Sequence, residues 1–180
     1  GIFAHNEETT ILRCLESVRS AVDEFELDVF VLINGCTDRT AELVADYARH
    51  HTWVRPVVIA EGDKSRAWNV FVYECVQDCE FAIFMDADVW TDRVSVFALV
   101  SALRVQSQAN AVAAVHGSGR NRDHYVGEML YQGGVAGNLY ALRGTFIDRI
   151  KKRGIFLPTG LVGDDSLVGA LVAWDLDPQK

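Results

Sequence analysis

The stretch Phe81-Ala82-Ile83-Phe84-Met85-Asp86-Ala87-Asp88 decides how this chain reads. Its apolar start, rich in aromatic and β-branched side chains, predicts a buried strand. Two carboxylates follow directly, separated only by Ala87. In open α/β sheets, ligands bind outside the carboxyl ends of the strands. Hard oxygen donors in that place suit Mg²⁺ or Mn²⁺, which favour carboxylate, carbonyl and water ligands. An ion held there would neutralise a diphosphate and stabilise it as a leaving group. The spacing alone carries little, because Asp175-Leu176-Asp177 repeats it. The strand in front of Asp86 gives the first pair its weight.

Outward from this stretch, strands and helices alternate, which predicts a single, mainly parallel sheet with helices on both faces. The apolar Gly1–Ala4 reads as the tail of a first strand whose beginning is absent. Asn6 is a candidate cap for a helix with Glu7 and Glu8 in its first turn and Ile11, Leu12, Leu15, Val18 and Val22 at helical spacing. Val29–Ile33 forms the second strand, closed by the turn Asn34-Gly35-Cys36, with Thr37 or Asp38 capping the next helix. A third strand spans Val57–Ala60, and a helix over about Ser65–Gln77 leads to Phe81. Thr91 is a candidate cap for a helix through Leu103, and Val112–Val115 makes a fifth strand. Gly117–Gly137, with six glycines and little periodicity, reads as a loop-rich insert free to move. Gly137–Leu142 returns to a strand, followed by helices over Thr145–Arg153 and Asp164–Trp174. There is no repeat and no linker, so residues 1–180 read as one domain.

Composition narrows the function classes. With 49% apolar and 23% charged residues, the chain can bury a core. Its 25 acidic residues exceed 17 basic ones, a formal charge of −8 that argues against nucleic-acid binding, which draws its affinity from cationic contacts to phosphate. An acidic protein that binds a diphosphate needs a local cation, and a metal at Asp86 and Asp88 would supply it. No apolar run reaches the ~18–20 residues of a membrane span, and no signal-peptide pattern opens the chain. Cys14, Cys36, Cys75 and Cys79 lack zinc-type spacing, so they are expected to be reduced and structural. The expected location is cytoplasmic, at the membrane face if segments outside this chain carry anchors.

Taken in order, these segments resemble an inverting family-2 glycosyltransferase of the GT-A fold. Ile2–Glu8 resembles the family's opening strand and helix start, and Asn34-Gly35-Cys36-Thr37-Asp38-Arg39-Thr40 its Asp-Gly-Ser-Thr-Asp-x-Thr turn. Gly62-Asp63-Lys64 with Ala67 and Asn69 resembles the Gly-x-Lys…Ala-x-Asn segment bordering the nucleotide. Asp86-Ala87-Asp88 matches the metal-binding motif, Gly137–Arg143 the strand before the acceptor site, and Gly163-Asp164-Asp165 falls where the family carries Glu-Asp. The resemblance implies a transferase that moves a sugar from a nucleotide-diphosphate donor to a carbohydrate or lipid-linked hydroxyl with inversion, using Mn²⁺ or Mg²⁺. It implies donor contacts from Ala4, His5, Asn6, Glu7, Asn34, Lys64, Asn69 and Asp86, and metal ligation by Asp86 and Asp88. Asp165, at the family's second acidic position, becomes the general base, with Asp164 beside it. One departure stands out: Ile33 occupies the place of the acidic residue that commonly reads the nucleobase.

Each residue also has a plainer reading. Asp164 and Asp165 are favourable charges at a helix N-terminus, and Asn34 suits a turn. Lys64 is otherwise a turn lysine, His5 and His116 solvated histidines, and His50-His51 a helix end. Arg120, Arg122 and Arg143 are candidates to clamp phosphate, Arg143 alone with support from the resemblance. Two other functions compete. A sugar-phosphate nucleotidyltransferase would carry a glycine-rich basic loop after the first strand, where this chain has His5-Asn6-Glu7-Glu8. A catalytically inactive sugar-nucleotide-binding domain would fit Ile33 but not the retained Asp86, Asp88 and Asp165.

Overall fold

The computed structural model describes the chain except residues 23, 24, 93, 119–121, 133, 134, 136 and 180. The elements run β1 (Ile2–Ala4), α1 (Ile11–Val22), β2 (Val29–Asn34), α2 (Thr40–His50), β3 (Val54–Ile59), α3 (Lys64–Val70), β4 (Phe81–Asp86), α4 (Ser95–Val105), β5 (Ala111–Ala113), α5 (Arg122–Gln132), β6 (Leu139–Arg143), α6 (Gly144–Arg153) and α7 (Asp164–Ala173). The strands form one sheet in the order β3-β2-β1-β4-β6-β5. The first four are parallel, whereas β6 runs antiparallel to both β4 and β5.

Strand periodicity divides the core into two layers. Phe3, Leu32, Ala82, Phe84, Tyr140 and Leu142 face α3, α6 and α7, meeting Trp68, Phe146, Ile147 and Val168. Their neighbours Ala4, Val31, Ile33, Met85, Leu139 and Ala141 face α1, α2 and α4, meeting Leu15, Val44 and Leu103. Register sets Phe84 directly opposite Tyr140, and their rings stack with centroids 4.6 Å apart. Aromatic side chains of this size dominate core energetics through the area they bury, and stacked pairs add about 0.5–1.5 kcal/mol. Because Ala82 and Phe84 face α3, a period of two directs Asp86 to the same face.

The structure revises several expectations. The third strand starts three residues earlier, at Val54, and carries Pro56. Proline is tolerated there because β3 lies at the sheet edge. The expected helix over Ser65–Gln77 is instead α3 followed by a π-helical turn over Phe71–Cys75, closed by the Val76 amide on the Phe71 carbonyl. The strand expected at Val112–Val115 starts at Ala111, where it pairs with Leu142. The Gly117–Gly137 segment is not all loop, since α5 occupies Arg122–Gln132. Its glycines crowd the flanks, leaving only Gly127 inside a run with the helix formers Glu128, Met129, Leu130 and Gln132. Among the described residues, no helix is long and apolar enough to cross a membrane, and the four cysteines are unpaired as thiols.

Candidate active site

The carboxyl ends of β1, β2 and β4 open onto one edge of the sheet. β6, being antiparallel, brings its first residues to that edge and its last residues to the opposite one. The loops on this edge are laced together. Asn6 takes a left-handed φ of 57°, which asparagine tolerates. It does not cap α1; its Oδ1 accepts from the Thr37 amide at 2.7 Å and the Asp38 amide at 3.3 Å. In return, the Glu8 amide donates to Asp38 Oδ2 at 3.0 Å and the Glu7 amide to Thr40 Oγ1 at 2.7 Å. Arg39 N donates to Glu8 Oε2 at 3.0 Å, and Asp38 Oδ1 takes the Thr40 amide at the start of α2. The Glu7 carboxylate accepts from Thr10 Oγ1, so it turns back on its own loop. Ala4 is buried, and its carbonyl accepts the Cys36 thiol.

Asn34 connects this pair of loops to α3. His5 Nδ1 donates to the Asn34 carbonyl at 2.6 Å, while the buried Asn34 Oδ1 accepts the Asp63 amide at 2.9 Å. Gly35 has φ +59°, and a Cβ there would fall 2.3 Å from Gly62 N. The two backbones therefore touch where only glycine fits. Asp63, which the sequence reading passed over as a site residue, caps α3 through the Arg66 amide and also accepts from Gly160 N. The signal was present: an Asp directly ahead of a helix is a preferred N-cap.

Lys64 opens α3, and its ammonium spans both oxygens of Asp86, at 2.8 Å from Oδ1 and 3.0 Å from Oδ2. Burial pushes the Asp86 carboxyl up, and Lys64 offsets only part of that rise. Burial works against the Lys64 ammonium, but the adjoining Asp86 charge and hydrogen bond outweigh it and lift its pKa. Asp88, past the end of β4, is exposed.

A cleft beside this pair is lined by Phe3, Lys64, Trp68, Phe84, Gly137, Tyr140 and Asp164. Its aromatic floor is fixed by Trp68 Nε1 donating to the Tyr140 hydroxyl at 3.0 Å. Gly163, with φ +83°, turns the chain into α7 and sets Asp164 and Asp165 in its first turn. Burial raises the Asp164 carboxyl, partly offset by Lys64. Burial pushes the Tyr140 phenol well above its ordinary range, and the charges of Asp164 and Asp165 act on both it and Lys64. Of the residues singled out from the sequence, Lys64 and Asp164 line this cleft; Asp86 is paired with Lys64, Asp165 lies close to Gly137, and the charge of Asp88 acts on Asp86. Tyr140 and Trp68 were missed: Leu139-Tyr140-Ala141-Leu142 is apolar throughout and buried on both faces, so no alternation singles out Tyr140.

Other candidates do different work. The Asn69 amide, expected to border the nucleotide, is used at both ends on Leu157, donating to its carbonyl and accepting its amide, each at 2.9 Å. Arg143 is no phosphate clamp of this site. It closes β6 opposite Phe81, at the far edge of the sheet, and donates to the carbonyls of Leu103, Gln106 and Ala109. Cations at such a helix C-terminus are favourable. Arg122 pairs with the adjacent Asp123 on the surface, and Arg120 lies outside the described residues. His116 Nε2 meets Asn138 Nδ2 at 2.8 Å. Thr91 bonds Ser17 rather than α4, while Asp92 accepts from Val94 N and Ser95 Oγ.

A mainly parallel sheet with a late antiparallel strand and helices on both faces is the GT-A fold of the solved glycosyltransferase structures it resembles. Residues 1–163 match the profile of glycosyl transferase family 2, and the chain belongs to that family. No curated protein matches it by sequence. Among solved structures, the mannosyltransferase PcManGT from Pyrobaculum calidifontis, in complex with GDP-Man and Mn²⁺, superposes with a TM-score of 0.74 at 23% identity, over 92% of this chain and 48% of that one. TarS from S. aureus, in complex with UDP-GlcNAc, gives 0.70 at 16% identity, over 95% and 51%. Glucosyl-3-phosphoglycerate synthase from Mycobacterium tuberculosis, with UDP, gives 0.53 at 19% identity, over 81% and 56%. The chain thus spans about half the length of these relatives.

Proposed function

We propose that this domain transfers a sugar from a nucleotide-diphosphate donor to a hydroxyl acceptor with inversion, assisted by Mn²⁺ or Mg²⁺. The observation that carries the reading is the Lys64–Asp86 ion pair at the carboxyl end of β4, beside a cleft lined by aromatic rings and Asp164. The residues fit a divalent ion. Among the described residues, no cluster of three His, Cys, Asp or Glu could hold one unaided. Two carboxylates completed by substrate phosphates are nonetheless the usual setting for Mg²⁺. Asp86 and Asp88 would hold the ion, which when bound supplies positive charge against the departing diphosphate.

The loops after β1 and β2 would seat the nucleotide, with His5, Asn6 and Asn34 at its edge. Ile33 is buried against Val31 and Ala4, so base recognition rests on other groups. The neighbours were solved with both GDP- and UDP-linked ligands, and the base is left for experiment to choose. Asp165 would take the acceptor proton, following its position in the family. Asp164 offers a second reading, favoured by its place on the cleft and its burial-raised carboxyl, since a base works best with a pKa close to the operating pH.

A thermal-shift panel of UDP, GDP, CDP and their sugars, with and without Mn²⁺, tests the proposal. At 100-fold excess over its dissociation constant, a donor adds about 2.7 kcal/mol, or ~5–10 °C for a domain of this size. One base should stabilise the protein in Mn²⁺ and fail in EDTA. Stabilisation by a nucleoside triphosphate with a sugar phosphate, and not by any diphosphate sugar, would point to a nucleotidyltransferase instead.

A further inference from the structure

Lys64 stands at the N-terminus of α3, where the helix dipole disfavours a cation. What holds it there is Asp86: the ammonium lies 2.8 Å from Oδ1 and 3.0 Å from Oδ2. It therefore sits on the carboxylate that a metal ion bound at Asp86 would need. Two cations cannot share that position. Lys64 also has somewhere to go, because its side chain is 41% exposed and has a flexible stem, whereas Asp86 is fixed at the end of a buried strand. The charges nearby are lopsided: Asp86, Asp164 and Asp165 all act on Lys64, and Asp88 acts on Asp86.

Resting on the proposed metal-dependent transfer, we infer that Lys64 is an internal cation that keeps the metal site closed until a diphosphate arrives. A divalent ion entering alone must displace the ammonium from Asp86 and leave it among carboxylates with no better partner than the one it lost. A diphosphate changes the balance. It offers the released ammonium new anionic oxygens and offers the ion the further ligands that Asp86 and Asp88 do not supply. Metal and diphosphate therefore bind cooperatively, and by linkage each raises the affinity of the other by the same factor. Lys64 acts here as a positioning residue that sets the order of assembly.

The test is Mn²⁺ binding, followed by the loss of the free-ion electron paramagnetic resonance signal, for the parent domain and for Lys64→Met. Each is titrated with Mn²⁺ alone and with Mn²⁺ in the presence of GDP or UDP, whichever stabilises the parent more. Lys64→Gln serves as a second uncharged variant, and melting curves verify that both fold. The parent should bind Mn²⁺ alone weakly and bind it much more tightly with the diphosphate. Both variants should bind Mn²⁺ alone about tenfold or more tightly than the parent, with the coupling factor falling from the ~5–150-fold range typical of linked sites towards one. A lysine that only braced α3 would leave nucleotide-free Mn²⁺ affinity unchanged or lower. Variants that bind Mn²⁺ alone no tighter than the parent would overturn the inference while leaving metal-dependent transfer intact. If the parent binds the diphosphate equally well in EDTA and never takes up Mn²⁺, the metal reading fails and this inference fails with it.

Discussion

Gly137 and Asp165 are in direct contact: a Cβ built on Gly137 would lie 2.9 Å from Asp165 Cβ and 3.1 Å from its Oδ2. The segment entering β6 therefore forms one wall against the carboxylate at the start of α7. Gly137→Ala is expected to push Asp165 aside by a few tenths of an ångström or more. Misplacements of about 1 Å can cost ~10²-fold in rate. Transfer should fall at least tenfold while the donor dissociation constant stays within twofold. Steady-state kinetics beside calorimetric donor binding would measure the split, and a parent-like rate would mean that this contact does not position a carboxylate the reaction uses.

Asp165 and Asp164 can be ranked. If Asp165 is the general base, Asp165→Asn should keep the fold and donor affinity yet lose the ~10²–10⁴-fold that a positioned base supplies. Asp164→Asn should then cost far less, since charge at a helix N-terminus contributes about 0.3–1 kcal/mol. Single-turnover transfer by both variants decides the matter. The reverse ranking would assign the base to Asp164, the carboxylate that lines the cleft.

Asn69 should behave as a brace. Asn69→Ala removes both hydrogen bonds to the buried Leu157 backbone, and leaving such groups unpaired costs about 1–3 kcal/mol. The expected signature is a lower melting temperature with donor affinity unchanged well below it. A variant with parent-like melting but weakened donor binding would restore the nucleotide contact implied by the family resemblance.

Alkaline pH should expose Cys14. The residue is fully buried on α1, and burial, with the charges of Asp88 and Asp86, pushes its thiol up to about 12. In the unfolded chain a thiol ionises near pH ~8.5. Stability is therefore whole below that value and drains away as pH rises towards the folded pKa, by about 2–3 kcal/mol at pH ~10.5. Melting temperatures between pH ~7.5 and ~10.5 should fall less steeply for Cys14→Ala than for the parent. Parallel slopes would mean that Cys14 is not the group responsible.

What the sequence revealed and what it hid divide along a physical line. The place of Asp86 and Asp88 at the end of β4 was legible because it is local: an apolar strand ends and carboxylates begin. The alternation of strands and helices was legible for the same reason, whereas Asp164 and Asp165 were singled out through the family resemblance. Arg143 misled because its location depends on β6 running antiparallel, a tertiary fact that sends the end of that strand to the wrong edge. Asn6 looked like a cap for its own helix, but its left-handed backbone turns the side chain to a loop some thirty residues further on. Asn69 lies on the expected helix, yet its partner, Leu157, is 88 positions away.

The lacing between residues 5–8 and 34–40 makes the two loops one unit for any redesign. Asn6, Glu7 and Glu8 supply bonding partners to Thr37, Asp38, Arg39 and Thr40, and the traffic runs both ways. Neither loop can be exchanged alone without orphaning polar groups on the other. The two must be inherited, recombined or grafted as a single cassette, even though a strand and a helix separate them along the chain.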